Sequence, residues 1–456
     1  MKKPNEKLSL EICRDYIKKE LFEPVFHTEI SPNDPGLIGI ELEVFPVRFS
    51  ESDITKAFPV PLLGKPFSLF EELVNSSANF GGILKSGEKN IISDIEFPNG
   101  NSFQFEPGGQ VEIATAPCNS LPELTFKLQF CQDILDSISE KTGVSFAQIG
   151  TNPWFDTDQI GLQLDKPRYR ALQKYFSGIG PFGIQMMRQT CSIHVNLDLG
   201  NAQETRVKRM VAANLLVPFA TAIFANSGII QGKVMERKSH RSYLWQNLDA
   251  SRSGILGLGK SSRFPNLENL IDSYLDFAIK APIIHVKSLG DRVFPESFTW
   301  KYWMQNPIEE ISPTLDDFEN HLSLLYPEVR PKGFLEIRTA DALPKEWQLV
   351  PAFFYAGLLY SDDSLNKTIE LLFPLANDIE RLYREASFGF ESERVLRISN
   401  QLMNIALESL SALPKEFVGE KAAGNLNAFF EKFTIQGKTV ADETISRFSD
   451  GNSLIY

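Results

Sequence analysis

Four short segments of the chain place charged or metal-ligating side chains at a spacing that would line them up on one sheet face. They are Glu41 with Glu43, Glu106 with Glu112, His194 with Asn196, and Glu336 with Arg338. In an extended chain, residues two apart project to the same side, so each pair would share a face if its segment is a strand. Carboxylates with a single imidazole make a hard, oxygen-rich environment, which suits Mg2+ or Mn2+ better than thiolate-bound Zn2+. Two or more such ions would in turn suit a triphosphate. The cysteines, Cys13, Cys118, Cys131 and Cys191, form no C-x-x-C pair and no zinc-knuckle spacing.

Each feature also has a plain reading. Glu-x-Glu is commonly the wet face of an antiparallel sheet, a lone strand histidine is commonly a satisfied core residue, and Glu-x-Arg is commonly a cross-strand ion pair. Their coincidence on four segments is what favours a polar cavity.

The elements that would carry these residues follow from hydrophobic periodicity. Leu37 to Phe45 alternates, with Ile38, Ile40, Leu42 and Val44 on one face and Gly39, Glu41, Glu43 and Phe45 on the other. Residues 63–104 predict a helix near Leu69 to Leu73 and then a hairpin including Ile91 and Ile92. Phe103 to Ile113 reads as two strand halves around Pro107-Gly108-Gly109, either a bulge or a tight turn. Glu106 and Glu112 share a face only if that break preserves parity. A helix is predicted over Leu121 to Thr142, with Pro122 in its first turn and Gly143 ending it. Thr190 to Asp198 and Gly333 to Asp341 alternate as strands, residues 202–226 form a long apolar helix, and the pattern from Leu349 onward is helical.

Length alone would suggest about three domains of roughly 150 residues. No linker, internal repeat or low-complexity tract divides the chain, so residues 1–456 read as a single catalytic unit. Residues 37–345 would form its sheet-containing core and 349–456 a mostly helical C-terminal part. The 58 Asp and Glu exceed the 46 Lys and Arg by twelve, which argues against a nucleic-acid partner. The N-terminal twenty residues read as an amphipathic surface helix rather than a signal peptide. The most apolar stretch, Met210 to Ala225, is too short to span a bilayer. Sparse cysteine and no membrane segment lead to the expectation of a cytoplasmic protein, monomeric or homodimeric.

Several runs resemble the plant and proteobacterial type of glutamate–cysteine ligase. They are Phe105 to Ile113 (FEPGGQVEI), Met187 to Asp198 (MRQTCSIHVNLD), Phe224 to Ser227 with Gly232, and Glu319 to Leu322. Tyr326 to Arg330 (YPEVR) and Leu335 to Arg338 (LEIR) match too, as do Arg241, Ser242, Trp245, Asp249, Arg252 and Gly254 in an R-S-x-x-W-x-x-x-D-x-x-R-x-G segment. The resemblance runs in order from about Gly36 to Tyr360. It implies an α+β, glutamine-synthetase-like fold, a curved antiparallel sheet forming an open bowl with helices on its outer face.

It also implies an ATP-dependent ligase that joins the γ-carboxyl of glutamate to the amine of cysteine through a γ-glutamyl phosphate, the first step toward glutathione. Glu41, Glu43, Glu106, Glu112, His194 and Glu336 would then be metal ligands, directly or through water. Arg338 would hold the transferring phosphoryl group, and Arg188, Arg241 and Arg252 would bind phosphate or the glutamate α-carboxylate, because guanidinium forks bind both. Trp245 would wall the amino-acid pocket or fill the core. The chain departs from the plant pattern at ELEVF, where relatives have EHEKF, and at His194, where they usually carry Gln. Three alternatives stay open: a different amine acceptor, a guanidino kinase of the same superfamily, and a non-catalytic binding protein.

Overall fold

The computed structural model describes residues 8–25, 35–50, 53–87, 92–256, 263–290 and 292–455. Its organising element is the strand Ile38–Ser50. On one side this strand pairs with Ser192–Asp198 and then Phe334–Asp341 and Val329–Pro331; on the other it pairs with Val111–Ala114, Ser102–Phe105, Ile95–Glu96 and Ile83–Leu84. Its outer half turns away to pair with Asp53–Pro59 and Val144–Ala147. All of these pairings are antiparallel, and the two edge strands do not meet, so the sheet stays open.

Register sets the chemistry. Glu41 lies opposite His194 on one neighbour, and Glu43 lies opposite Glu112 on the other. Glu112 faces Gln104 across the next pairing, while Glu336 faces Asn196 on one side and Arg330 on the other. A one-residue slip in any of these would send a carboxylate into the apolar layer, so the buried Ile38, Ile40, Leu42 and Val44 on the back of the central strand pin the front. Of the departures from the plant pattern, Leu42 and Val44 belong to that back layer and His194 to the front.

Helices cover the back. Gln203–Ile223 is buried nearly all round, between the Phe334–Asp341 strand and the helices Asp362–Leu372, Ile379–Ala386 and Glu393–Ala412, which explains an apolar sequence that never spans a membrane. Among the described residues no helix is long and apolar enough to do so. The helix Leu121–Thr142 has the bounds read from its sequence. Ser120 Oγ accepts from Glu123 N, and Gly143 closes it at φ +69°. Residues 1–7 and Ile91 lie outside the described residues; the N-terminal helix runs over Leu10–Tyr16, capped by Ser9, and continues as a π-helical turn over Ile17–Leu21. Beyond Asp341 every regular element among the described residues is helical.

A tight helix contact in that C-terminal part is at Gly357, on Val350–Leu359, where an added Cβ would lie 2.6 Å from Ala406 O and 3.0 Å from Ala406 Cα. Both are backbone atoms that cannot rotate away. Gly357→Ala should therefore destabilise the protein by about 1–3 kcal/mol, the usual cost of overpacking, measured by urea denaturation. An unchanged midpoint would show that the helices separate freely.

Candidate active site

A polar cavity of about 290 Å3 opens on the front of the sheet. Its floor is the row of carboxylates. His194 Nδ1 lies 2.8 Å from Glu41 Oε2, and Asn196 Nδ2 donates to Glu41 Oε1 at 3.1 Å. Ser192 donates to Glu43 Oε2 from both its backbone N, at 2.6 Å, and its hydroxyl, at 2.8 Å. Two groups of ligand atoms gather within 4.8 Å of one another: Glu41, Glu112 and His194, and Glu43, Glu106 and Glu112. Glu112 belongs to both.

The parity of Glu106 depends on the Pro107-Gly108-Gly109 break, which is a tight turn. Gly109 N donates to Glu106 O at 2.8 Å, and Glu106 N donates to Gln110 O at 3.0 Å, so the pairing continues two steps beyond Gln104 opposite Glu112. Gly109 sits at φ +82°, a conformation open to glycine. Glu106 therefore joins Glu112 in the cavity.

Cations enter the cavity from one edge of the same sheet and from two helices. Arg168, Arg241, Arg330, Lys332 and Arg338 all line the cavity. Glu336 is drawn to them rather than to the other acids: its Oε2 lies 3.2 Å from Arg330 and 3.5 Å from Arg338, and its Oε1 lies 3.4 Å from Lys332. Glu336 is thus placed in the cavity but outside both carboxylate triads. The Arg338 guanidinium stands 5.6 Å over the Trp245 ring, which lines the cavity and also packs against Tyr326, so Trp245 serves as both wall and core.

Two arginines expected here are committed elsewhere. Arg188 donates to Thr157 O and Gln173 Oε1, at 2.8 and 2.5 Å, and its backbone closes against Gly108. Arg252 is fully buried, donating to Asp249, Leu324 O and Pro282 O. Neither lines the cavity. A guanidinium fork fits carbonyl groups as well as phosphate, and only the tertiary packing decides between them. The residues not foreseen include Arg168, fixed by Ser323 through its hydroxyl at 2.6 Å and its carbonyl at 2.7 Å, and Gln104 and Lys332. Period two from Glu106 back to Gln104, and from Arg330 on to Lys332, would have found two of them. Arg168, on the helix Pro167–Ile179, carries no such signal.

The acids do not titrate alike. Burial, then the charge of Glu43, pushes Glu106 up to about 8. Burial, then Glu41, Glu106 and Glu43, pushes Glu112 well above the carboxylate range. Burial also disfavours an ionised Glu336, but Arg330, Arg338 and Lys332 outweigh it and hold that group well below the ordinary value. For Glu41, burial and Glu336 are outweighed by the hydrogen bond and charge of His194, so it is lowered. A face that stacks like charges in this way has a built-in demand for cations. The donor set, all carboxylate oxygens and one imidazole, fits hard divalent ions. Both nitrogens of His194 are engaged, Nε2 at 2.8 Å from Ser192 Oγ, so one would have to exchange its partner for an ion.

The model of glutamate–cysteine ligase family 2 (GCS2) matches residues 38–398, which span every cavity-lining strand. The chain belongs to this family. Its GCS2 relatives include the chloroplastic glutamate–cysteine ligase of Medicago truncatula, 29% identical over 341 residues that cover 72% of this chain and 64% of the relative. The chloroplastic enzyme of Arabidopsis thaliana is 28% identical over 359 residues, covering 76% of this chain and 66% of the relative. The matches therefore span a little under two thirds of those relatives' length. Among solved structures, a glutamate–cysteine ligase of Francisella tularensis in complex with AMP superposes with a TM-score of 0.52 at 10% identity, over 91% of this chain and 84% of that one. The glutamine-synthetase-like fold, mixed helices over an open antiparallel sheet, is the one this GCS2 chain has.

The expectation of a cytoplasmic location is overturned by the same comparison, because these relatives are chloroplastic by name. The four cysteines are free and buried, which does not tell one compartment from another.

The raised acids make this GCS2 site sensitive to pH. Glu106 stays protonated in the folded protein up to about 8 but ionises near its ordinary 4.5 when unfolded. Between those values the folded state holds the extra proton, so stability is fully present below the window and is lost as pH rises through it. The thermal midpoint of metal-free protein should fall from about pH 5 to about pH 8, and Mg2+ should flatten that slope while releasing protons. Glu112→Gln should abolish most of the Mg2+ response. Differential scanning fluorimetry across the pH series checks this, and a midpoint independent of both pH and Mg2+ would contradict the account.

Proposed function

We propose that this chain is an ATP-dependent glutamate–cysteine ligase. The observation that carries the reading is the polarised cavity: two ligand triads sharing Glu112 and five cationic side chains line one space sized for small molecules. A carboxylate does not acylate an amine in water without activation. ATP supplies it by phosphorylating the glutamate γ-carboxylate, after which the cysteine amine displaces phosphate and forms the amide. In-line phosphoryl transfer mainly requires positioning and neutralisation of charge. The adenine nucleotide in the Francisella tularensis ligase supports ATP as co-substrate.

Glu41, Glu43, Glu106, Glu112 and His194 would hold Mg2+ or Mn2+, and bound ions would neutralise the polyphosphate and orient its γ-phosphoryl group. Arg338 lines the same cavity from the neighbouring strand and would bind the transferring phosphoryl group. Glu336 keeps Arg330, Lys332 and Arg338 together, so its first task is to position cations, with metal coordination open to it once substrate competes for those partners. Arg241 and Arg168 are left for the phosphates and the α-carboxylate of glutamate. Arg188 and Arg252 have no such part.

A second, more apolar cavity of about 200 Å3 adjoins the first and shares Glu41 with it. Gly39, Thr115, Pro117, Asn196 and Phe334 line it, which suits a nucleoside whose phosphates reach the triads. A Cβ at Gly39 would meet Thr115 Oγ1 at 3.4 Å, an ordinary contact, so a larger side chain would be tolerated by the fold while filling the slot.

Purified protein given ATP, Mg2+, glutamate and cysteine should release ADP and phosphate only when both amino acids are present, with γ-glutamylcysteine as product. A panel of amines compared by kcat/KM tests the acceptor, and a better substrate than cysteine would replace the glutamate–cysteine assignment with a γ-glutamyl ligase that uses that amine. Glu43→Gln should lower turnover by more than about 100-fold with little change in folding; near wild-type activity would remove Glu43 from the metal site. Gly39→Leu should raise the KM for ATP by about tenfold, roughly 1.4 kcal/mol of binding, and leave that for glutamate unchanged. An effect on glutamate alone would place the nucleoside elsewhere.

A further inference from the structure

Arg241 and Arg338 reach the cavity as a unit, because Arg241 Nη2 donates to Arg338 O at 2.8 Å. Arg241 stands in the first turn of the helix His240–Leu248 and is nearly fully buried, so its guanidinium direction depends on what lies behind it. What lies behind it is Asp341, the last residue of the Glu336 strand, which does not line the cavity. Asp341 Oδ2 accepts from Asn226 N at 2.8 Å and from Ser227 Oγ at 2.6 Å. Its Oδ1 accepts from Ser239 Oγ at 3.1 Å and lies 3.7 Å from Arg241 Nη1. Ser227 Oγ in turn accepts from Arg241 N at 3.0 Å. Backbone and side chain of Arg241 are thus both referred to one carboxylate.

The hub is packed without slack. A Cβ on Gly150 would lie 2.7 Å from Asp341 Cβ and 2.9 Å from Ser227 Cβ. It is also tied to the helical C-terminal part. Thr444, on Val440–Ser449, donates to Asn226 Oδ1 at 2.8 Å, Asn226 Nδ2 donates to Ala342 O at 2.8 Å, and Ala441 N donates to Ala225 O at 2.9 Å. We propose that Asp341 is a positioning residue for Arg241, and that the helix Val440–Ser449 maintains this positioning through Thr444 and Asn226. The helical C-terminal part then contributes to substrate binding without touching substrate. A buried carboxylate that accepts three hydrogen bonds fixes its neighbours more firmly than any single surface ion pair, because breaking one contact leaves a buried charge undersatisfied.

This inference rests on the ligase reading for the identity of the ligands, and its test separates the two. Binding of Mg2+–ADP and of glutamate is measured by calorimetry, which needs no turnover, on wild type, Asp341→Asn and Thr444→Val, each alone and combined with Arg241→Gln. Asp341→Asn should weaken one of the two ligands about tenfold, the effect of a lost charged hydrogen bond, and Thr444→Val about threefold in the same direction. In the Arg241→Gln background neither should add more than about twofold, because the arginine they position is gone. A full multiplicative effect in that background, or unchanged binding in both single variants, overturns the inference. Thr444→Val decides alone if Asp341→Asn does not fold. Wild-type protein that binds both ligands and forms no γ-glutamyl product rejects the ligase reading and leaves the binding cycle to judge Asp341.

Discussion

Mutual repulsion among buried carboxylates is the constraint on which the structure turns. Glu41, Glu43, Glu106 and Glu112 converge on one sheet face, and burial there makes each charge harder to hold than it would be in water. The fold answers in two ways. Arg330, Lys332 and Arg338 hold Glu336 well below the ordinary carboxylate value, and the hydrogen bond with His194 lowers Glu41. Glu106 and Glu112 are left with raised proton affinity, an arrangement that is costly as a resting state and useful as a receptor for divalent ions.

The back of the sheet explains how such a face can exist. Ile38, Ile40, Leu42 and Val44 are sealed under helices, and their burial fixes the register that brings Glu41 to His194 and Glu43 to Glu112. Burial of such a layer contributes about 25 cal/mol per Å2 of apolar surface, a driving force that acts against the repulsion of the acids opposite. The ELEVF departure from the plant pattern falls on this layer, so it bears on packing and not on the cavity.

Much of this was legible in the sequence because strand parity is a short-range rule. Glu41 with Glu43, Ser192 with His194, and Glu336 with Arg338 reach the same cavity as period two requires, and the tight turn at Gly109 keeps Glu106 in phase. What was not legible depends on tertiary contact. Arg188 and Arg252 have the right chemistry for phosphate but spend it on backbone carbonyls, and Arg168 enters from a helix whose orientation is set by Ser323. The register shift between Ile337 and Ala340, just before the Asp341 hub, also leaves no trace in hydrophobic alternation. Family motifs mark such residues without saying whether they touch substrate. Asp249 and Arg252 belong to the motif and are wholly occupied with each other and with the chain around them.

The central claim is that Glu112 sits between two divalent-cation sites. Anomalous diffraction from crystals grown with Mn2+, a non-hydrolysable ATP analogue and glutamate tests it most directly. The account predicts Mn2+ peaks at both triads, each within coordination distance of a Glu112 oxygen and of the analogue's phosphates. Nucleotide bound in the cavity with no Mn2+ at either triad would contradict it.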